Sequence, residues 1–146
     1  MFRGSASAKI DAKGRLKVPT EFRRILEDSY GSEVFITSVT GESAKLYPLP
    51  VWEGVERKLA DVPSSDRAKQ RFLERVNHFG QQLKLDAQGR VLIPQILREH
   101  AEILGEVVVS GRIDQLEIWN RDSFDRRLKE EPFNDDDFKA LAEYGI

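Results

Sequence analysis

The chain has 146 residues, 40% of them apolar and 33% charged, with a formal net charge of −2. That length suits one domain, or two small halves sharing a core, and no apolar run approaches the roughly 18–20 residues of a membrane-spanning helix. Cysteine is absent, which excludes disulfides and thiolate metal sites and fits a reducing compartment.

The charge is unevenly placed. Residues 1–24 carry seven Lys or Arg against two acids, and residues 130–146 carry six acids against one Lys. A basic end matters more for nucleic-acid binding than the total does. The first fifteen residues, "MFRGSASAKIDAKGR", hold no apolar segment of the secretory kind, so a cytoplasmic protein is expected.

In chain order, "KIDAKGRLKV" reads as strand, tight turn and strand. Leu16 and Val18 alternate with Arg15 and Lys17, the period of a half-buried strand. Pro19 opens a helix over "PTEFRRIL" as its first helical residue. Strands are expected over 33–39 and 44–48 around the turn "TGES", then a helix over "VWEGVERKL". The stretch "SSDRAKQRFLERVNHFG" is an amphipathic helix, with Ser64 or Ser65 as its N-cap and Gly80 at its end. Phe72, Val76 and Phe79 form its apolar stripe; Arg67, Lys69, Arg71 and Arg75 lie elsewhere on it.

The second half repeats the first. "KIDAKGRLKVPTEFR" (9–23) aligns with "KLDAQGRVLIPQILR" (84–98), with Lys, Asp, Ala, Gly, Arg, Pro and the final Arg identical. Pro94 opens "PQILREHAEILG", where Leu97, Ala101 and Leu104 share a face and Gly105 is the stop. Strands over 106–110 and 115–119 flank the turn "GRID", and "RDSFDRRLKE" reads as a closing helix. The expected organisation is a first repeat at 1–60, a connecting helix at 61–83, a second repeat at 84–130 and an acidic tail at 131–146, in one integrated domain. One such unit leaves open sheet edges and too small a core. Two copies in one chain can interlock about a pseudo-two-fold axis, which predicts an α+β, mainly β fold.

Both repeats carry Asp-x-x-Gly-Arg. Asp at the start of a type I turn accepts bonds from backbone N–H groups ahead of it, and glycine takes the positive φ at the exit. Asp11, Gly14, Asp86 and Gly89 fit those roles. The turn does not need the arginine that follows. Arg15 and Arg90 either pair with Asp11 and Asp86 across the turn, or project as forks suited to phosphate and guanine edges, or both. Lys13 stands at the first turn tip and Gln88 at the second, so the turns are unequally basic.

"MFRG", "DAKGRLKVPTEFR", "LYPLPVWE", "LDAQGRVLIPQILREHA" and "EIWN" together resemble the MraZ family of bacterial transcriptional regulators, over about residues 1–130. The resemblance implies a swapped-hairpin SpoVT–AbrB-like β-barrel of the double-psi type, built from two internal repeats with short helices. It implies a homo-oligomeric ring, typically an octamer, associated with the nucleoid. It also implies binding to double-stranded DNA at short direct repeats in the promoter of the division and cell-wall gene cluster that the family heads. The DNA-facing residues are then Lys13, Gly14, Arg15 and Arg90; Lys17 and Arg3 join them as candidates on their charge in the same basic segment. Asp11, Asp86 and Gly89 shape and orient the turns. The first turn, with Lys13, Arg15 and Lys17, is expected to carry more of the contact than the second, with Gln88 and Leu92. The acidic tail lies outside the stretch that carries the resemblance, and its role stays open.

Nothing in the chain suggests an enzyme, a metal site or a cofactor. His78 and His100 have no ligand partner at i+4, no serine sits in G-x-S-x-G, and no phosphate-binding G-x-x-x-x-G-K-[ST] is present. Trp52 and Trp119 read as packing residues. Two functions remain: a sequence-specific DNA-binding regulator, and a protein-interaction adapter that uses the same barrel without touching DNA.

Overall fold

The computed structural model describes residues 1–146. Its elements are β1 (Ser5–Lys9), β2 (Arg15–Lys17), α1 (Thr20–Ser29), β3 (Glu33–Thr37), β4 (Ala44–Pro48), α2 (Leu49–Ala60) and α3 (Arg67–His78). There follow β5 (Gln81–Lys84), β6 (Arg90–Leu92), α4 (Gln95–His100), β7 (Glu106–Gly111), β8 (Leu116–Asn120), α5 (Arg121–Glu130) and α6 (Asp135–Ala142). The order β-β-α-β-β-α occurs twice, with α3 between the copies and α6 after them.

The halves exchange strands. A six-stranded antiparallel sheet runs β1-β7-β8-β4-β3-β5, and β2 pairs with β6 in a separate ribbon. The opening strand of each half therefore pairs with the third element strand of the other: β1 with β7, and β5 with β3. Only β3–β4 and β7–β8 are hairpins within one half. At both edges of the sheet the chain continues through a tight turn into the ribbon, so the eight strands surround a common core. This is the α+β, two-repeat SpoVT–AbrB-like fold.

The core explains why the repeat had to be written twice. Twenty-one buried residues form one cluster, drawn from both halves and in good part from matching positions. Leu16 and Val91, Val18 and Ile93, Phe22 and Leu97, and Leu26 and Ala101 are all in it. Each large apolar side chain buried this way contributes about 1.5–3 kcal/mol, and neither half could bury them alone. A second, smaller cluster of Tyr47, Trp52 and Val76 lies where α2 and α3 cover β3 and β4. Trp52 stacks on Phe35 at 4.6 Å, and the Thr37 hydroxyl donates to the Val76 carbonyl at 2.6 Å, which pins α3 to β3. The second half has no counterpart of α3. There Trp119 is covered by α5, with the Arg127 guanidinium 5.0 Å from its ring centre.

Four local expectations need correction. Pro19 and Pro94 are N-caps rather than first helical residues: both are extended, and their carbonyls accept the first helical N–H groups, from Arg23 and Arg98. The N-cap of α3 is Asp66, whose carboxylate accepts Lys69 N–H at 2.9 Å, so neither serine caps it. A full negative charge suits the positive end of the helix better than a hydroxyl. Strand β3 stops at Thr37, because the Ser38 hydroxyl turns back to accept the Gly41 N–H at 2.9 Å. Helix α4 ends at His100, well short of Gly105. Glu102 takes a φ of 53° and swings Ile103 fully into the core, which leaves Leu104 55% exposed.

Candidate nucleic-acid interface

Each Asp-Ala-x-Gly-Arg segment folds on its own aspartate. Asp11 Oδ1 accepts the N–H groups of Lys13 and Arg15, both at 2.9 Å, and Oδ2 accepts Arg15 Nε at 2.8 Å. Asp86 repeats this with Gln88 and Arg90 at the same three distances. Gly14 and Gly89 close the turns at φ of 83° and 75°, where a side chain is strained. The arginines thus do both things expected of them. Nε is held by the aspartate, while neither pair of terminal amino groups bonds to protein. An ion pair this open to solvent adds little to stability, so its main effect is to aim the fork.

The network holds both aspartates below the usual carboxylate range. The largest cause for Asp11 is the Arg15 N–H, followed by the Arg15 side chain and the Lys13 N–H, against a desolvation that pushes the other way. Asp86 has the same causes from Arg90 and Gln88. Both carboxylates stay charged throughout the neutral range and keep the guanidinium groups oriented.

Strand exchange then joins the two turns. Val18 N–H donates to Gly89 O, and Ile93 N–H donates to Gly14 O, both at 3.0 Å. Two further arginines clamp the turns from behind. Arg98 of α4 lies against Gly14, where a Cβ would fall 2.5 Å from its Cζ; Arg23 of α1 lies against Gly89, where a Cβ would fall 2.6 Å from its Cδ. Arg23 Nη2 also donates to Ala87 O at 3.0 Å, and its Nε pairs with Glu27 at 2.7 Å. Arg98 Nε donates to Ile93 O at 3.0 Å. Neither arginine stood out among the site candidates. Their signal was visible all the same, as the final identical residue of the repeated fifteen.

The ribbon between the turns sorts its side chains by strand alternation. Leu16 faces Val91 across the pair, and both are buried in the core. The neighbouring pairs, Lys17 with Arg90 and Arg15 with Leu92, fall on the outward face. Lys17 is exposed and unpaired, and Leu92, its counterpart in the repeat, is 43% exposed. Arg15, Lys17 and Arg90 therefore share one surface, with Lys13 at the adjoining tip. Arg3 does not join them. It precedes β1 whereas the Asp11 turn follows β1, a separation of roughly 15 Å or more at about 3.3 Å per residue.

The remaining candidates from the sequence take structural places. His100 ends α4, with Nδ1 3.2 Å from Gly41 O and its ring edge-on to Phe79. Trp52 and Trp119 are buried. No group of three or more His, Asp or Glu side chains is arranged to hold a metal ion. No helix is long and apolar enough to cross a membrane.

An interlocked two-repeat fold that turns one charged ribbon and two arginine-bearing turns outward defines a SpoVT–AbrB-like protein. The chain belongs to the MraZ family: the family model described as "MraZ protein, putative antitoxin-like" matches residues 1–75 and 80–143. It is 49% identical over 146 residues to the transcriptional regulator MraZ of Acidobacterium capsulatum, covering all of both chains. It is 44% identical over 147 residues to that of Koribacter versatilis, again over both full lengths. The transcriptional regulator MraZ of Escherichia coli O127:H6 is 34% identical over 132 residues, 90% of this chain and 87% of that one. These relatives are named as regulators of transcription, and the family is not one of enzymes.

Proposed function

We propose that this chain is a cytoplasmic, nucleoid-associated transcriptional regulator that binds double-stranded DNA through the outward face of the β2–β6 ribbon and its two turns. It reads short direct repeats in the promoter of its own division and cell-wall gene cluster, as a homo-oligomeric ring of about eight copies. The observation that carries the reading is the ribbon surface, where Arg15, Lys17 and Arg90 stand together in a chain whose relatives regulate transcription.

The physics supports each part. A two-stranded ribbon fits the roughly 12 Å major groove. Terminal guanidinium nitrogens free of protein partners match phosphate oxygens or the O6 and N7 acceptors of guanine. The chain as a whole is slightly acidic, so one ribbon alone should bind weakly, because affinity grows with the number of phosphates neutralised. Several ribbons on one assembly raise avidity when their spacing matches the DNA. A cyclic assembly suits direct repeats, as a two-fold dimer suits palindromes.

Anisotropy titration against the promoter DNA tests this. Binding should require the repeats and weaken as salt rises, with log K falling by about 0.9 per phosphate contact for each unit of log salt. Equal affinity for a shuffled sequence, or no binding at low salt, would defeat the proposal.

A further inference from the structure

Beyond Glu131, which pairs with Arg127 at 3.1 Å, the C-terminal segment makes no side-chain hydrogen bond or ion pair with the rest of its chain. Every residue from 125 to 140 is exposed, and α6 has no buried residue. The segment is nonetheless organised. Asn134 and Asp137 form a reciprocal capping box, three aspartates occupy the first turn, and Phe133 packs edge-on to Phe138 at 4.7 Å. Phe133 and Phe138 are 56% and 63% exposed, and Tyr144 and Ile146 are more exposed still. An eight-residue helix is marginal in water by itself, and a partner surface would stabilise an acidic helix with a solvated aromatic face.

A surface of complementary character lies on the same chain. A groove of about 510 Å³ between α3 and the β3–β4 turn is lined by Val39, Thr40, Ala68, Arg71, Phe72 and Arg75. Its apolar lining continues the Trp52 cluster to the surface, since Phe72 stacks on Trp52 at 6.5 Å. Along α3, Arg67, Arg71 and Arg75 recur at every fourth residue, and none of the three makes an ion pair. The groove thus offers an apolar strip beside a row of free cations. The tail offers an aromatic pair beside five acids and one Lys.

We infer that residues 131–146 of one copy dock into the α3 groove of a second copy, with Phe133 and Phe138 in the apolar strip and Asp135 and Asp136 against Arg71 and Arg75. The contact is heterologous: each copy gives a tail and receives one, which leads to a closed ring or an open chain of subunits. It uses none of the residues assigned to DNA and is read without DNA.

The cysteine-free chain allows a direct test. A full-length chain carrying Lys139→Cys is mixed with one carrying Thr40→Cys and oxidised, and a third chain carries both substitutions. The expected product is a covalent dimer of the two different chains. Phe133→Ala with Phe138→Ala should lower its yield about tenfold or more, as loss of two aromatic anchors does, and should shrink the native mass without changing the melting curve. Arg71→Glu with Arg75→Glu should do the same, and adding Asp135→Arg with Asp136→Arg to that chain should restore assembly. A link found only within the doubly substituted chain would place the tail in its own groove and overturn the inference. So would no link at all, or a native mass indifferent to both aromatic residues.

Discussion

Lys17→Glu should cost more than tenfold in promoter affinity while leaving the protein as stable as before or slightly more so. Lys17 is exposed, bonds to nothing and sits directly across the ribbon from Arg90. Like charges in that position are destabilising by about 0.2–1 kcal/mol, so glutamate exchanges a repulsion for an attraction. On the proposed reading the same change reverses a charge at the phosphate backbone in every copy. The salt slope should fall by about 1 for each engaged subunit, and the losses should compound where several subunits hold one DNA. A local rule broken at no structural gain is what a functional surface leaves behind. Anisotropy titration and thermal melting of the same sample check both halves. Unchanged affinity would remove Lys17 from the interface, and a large drop in melting temperature would mean that it holds the ribbon.

Gly14→Ala should destabilise the fold by about 1–2 kcal/mol for the left-handed backbone alone, and should also expel the Arg98 guanidinium, which lies 2.5 Å from the added carbon. Gly4→Ala separates the two costs. Gly4 has a similar φ of 81° but nothing within 4 Å of an added Cβ, so it bears the backbone strain without the crowding. Gly14→Ala should therefore be the more damaging of the two. Removing the clamp first, with Arg98→Ala, should make Gly14→Ala cheaper, giving a coupling of about 0.5–3 kcal/mol in a double-mutant cycle. Strict additivity by denaturant unfolding would show that Arg98 does not bear on the turn. The matching pair is Gly89 with Arg23, and the same cycle there reports the opposite half.

Much of this was legible because the chain states it twice. The Asp and Gly of each turn, the inward Leu16 and Val91, and the outward Arg15, Lys17 and Arg90 all follow from turn chemistry and a two-residue period. What the sequence leaves open is which strand pairs with which. A period of two marks the buried face of β1 and β5, yet it is silent on whether each pairs within its own half or with the other. The arginines behind the turns were hidden for that reason, since Arg23 meets Gly89 and Arg98 meets Gly14 only once the halves exchange strands. Helix α4 was overestimated because Leu104 keeps helical spacing, whereas Ile103 fills the core better after a turn at Glu102. Arg3 was grouped with the site on charge alone, and β1 carries it away.

Amide hydrogen exchange of the protein with and without its promoter DNA tests the interface most directly. If the ribbon is the DNA-facing surface, exchange should slow on DNA binding in residues 11–17 and 86–92, with the larger effect in the first segment. Protection confined to α3 at residues 67–75, where a row of unpaired arginines lies, or no protection at either turn, would contradict it.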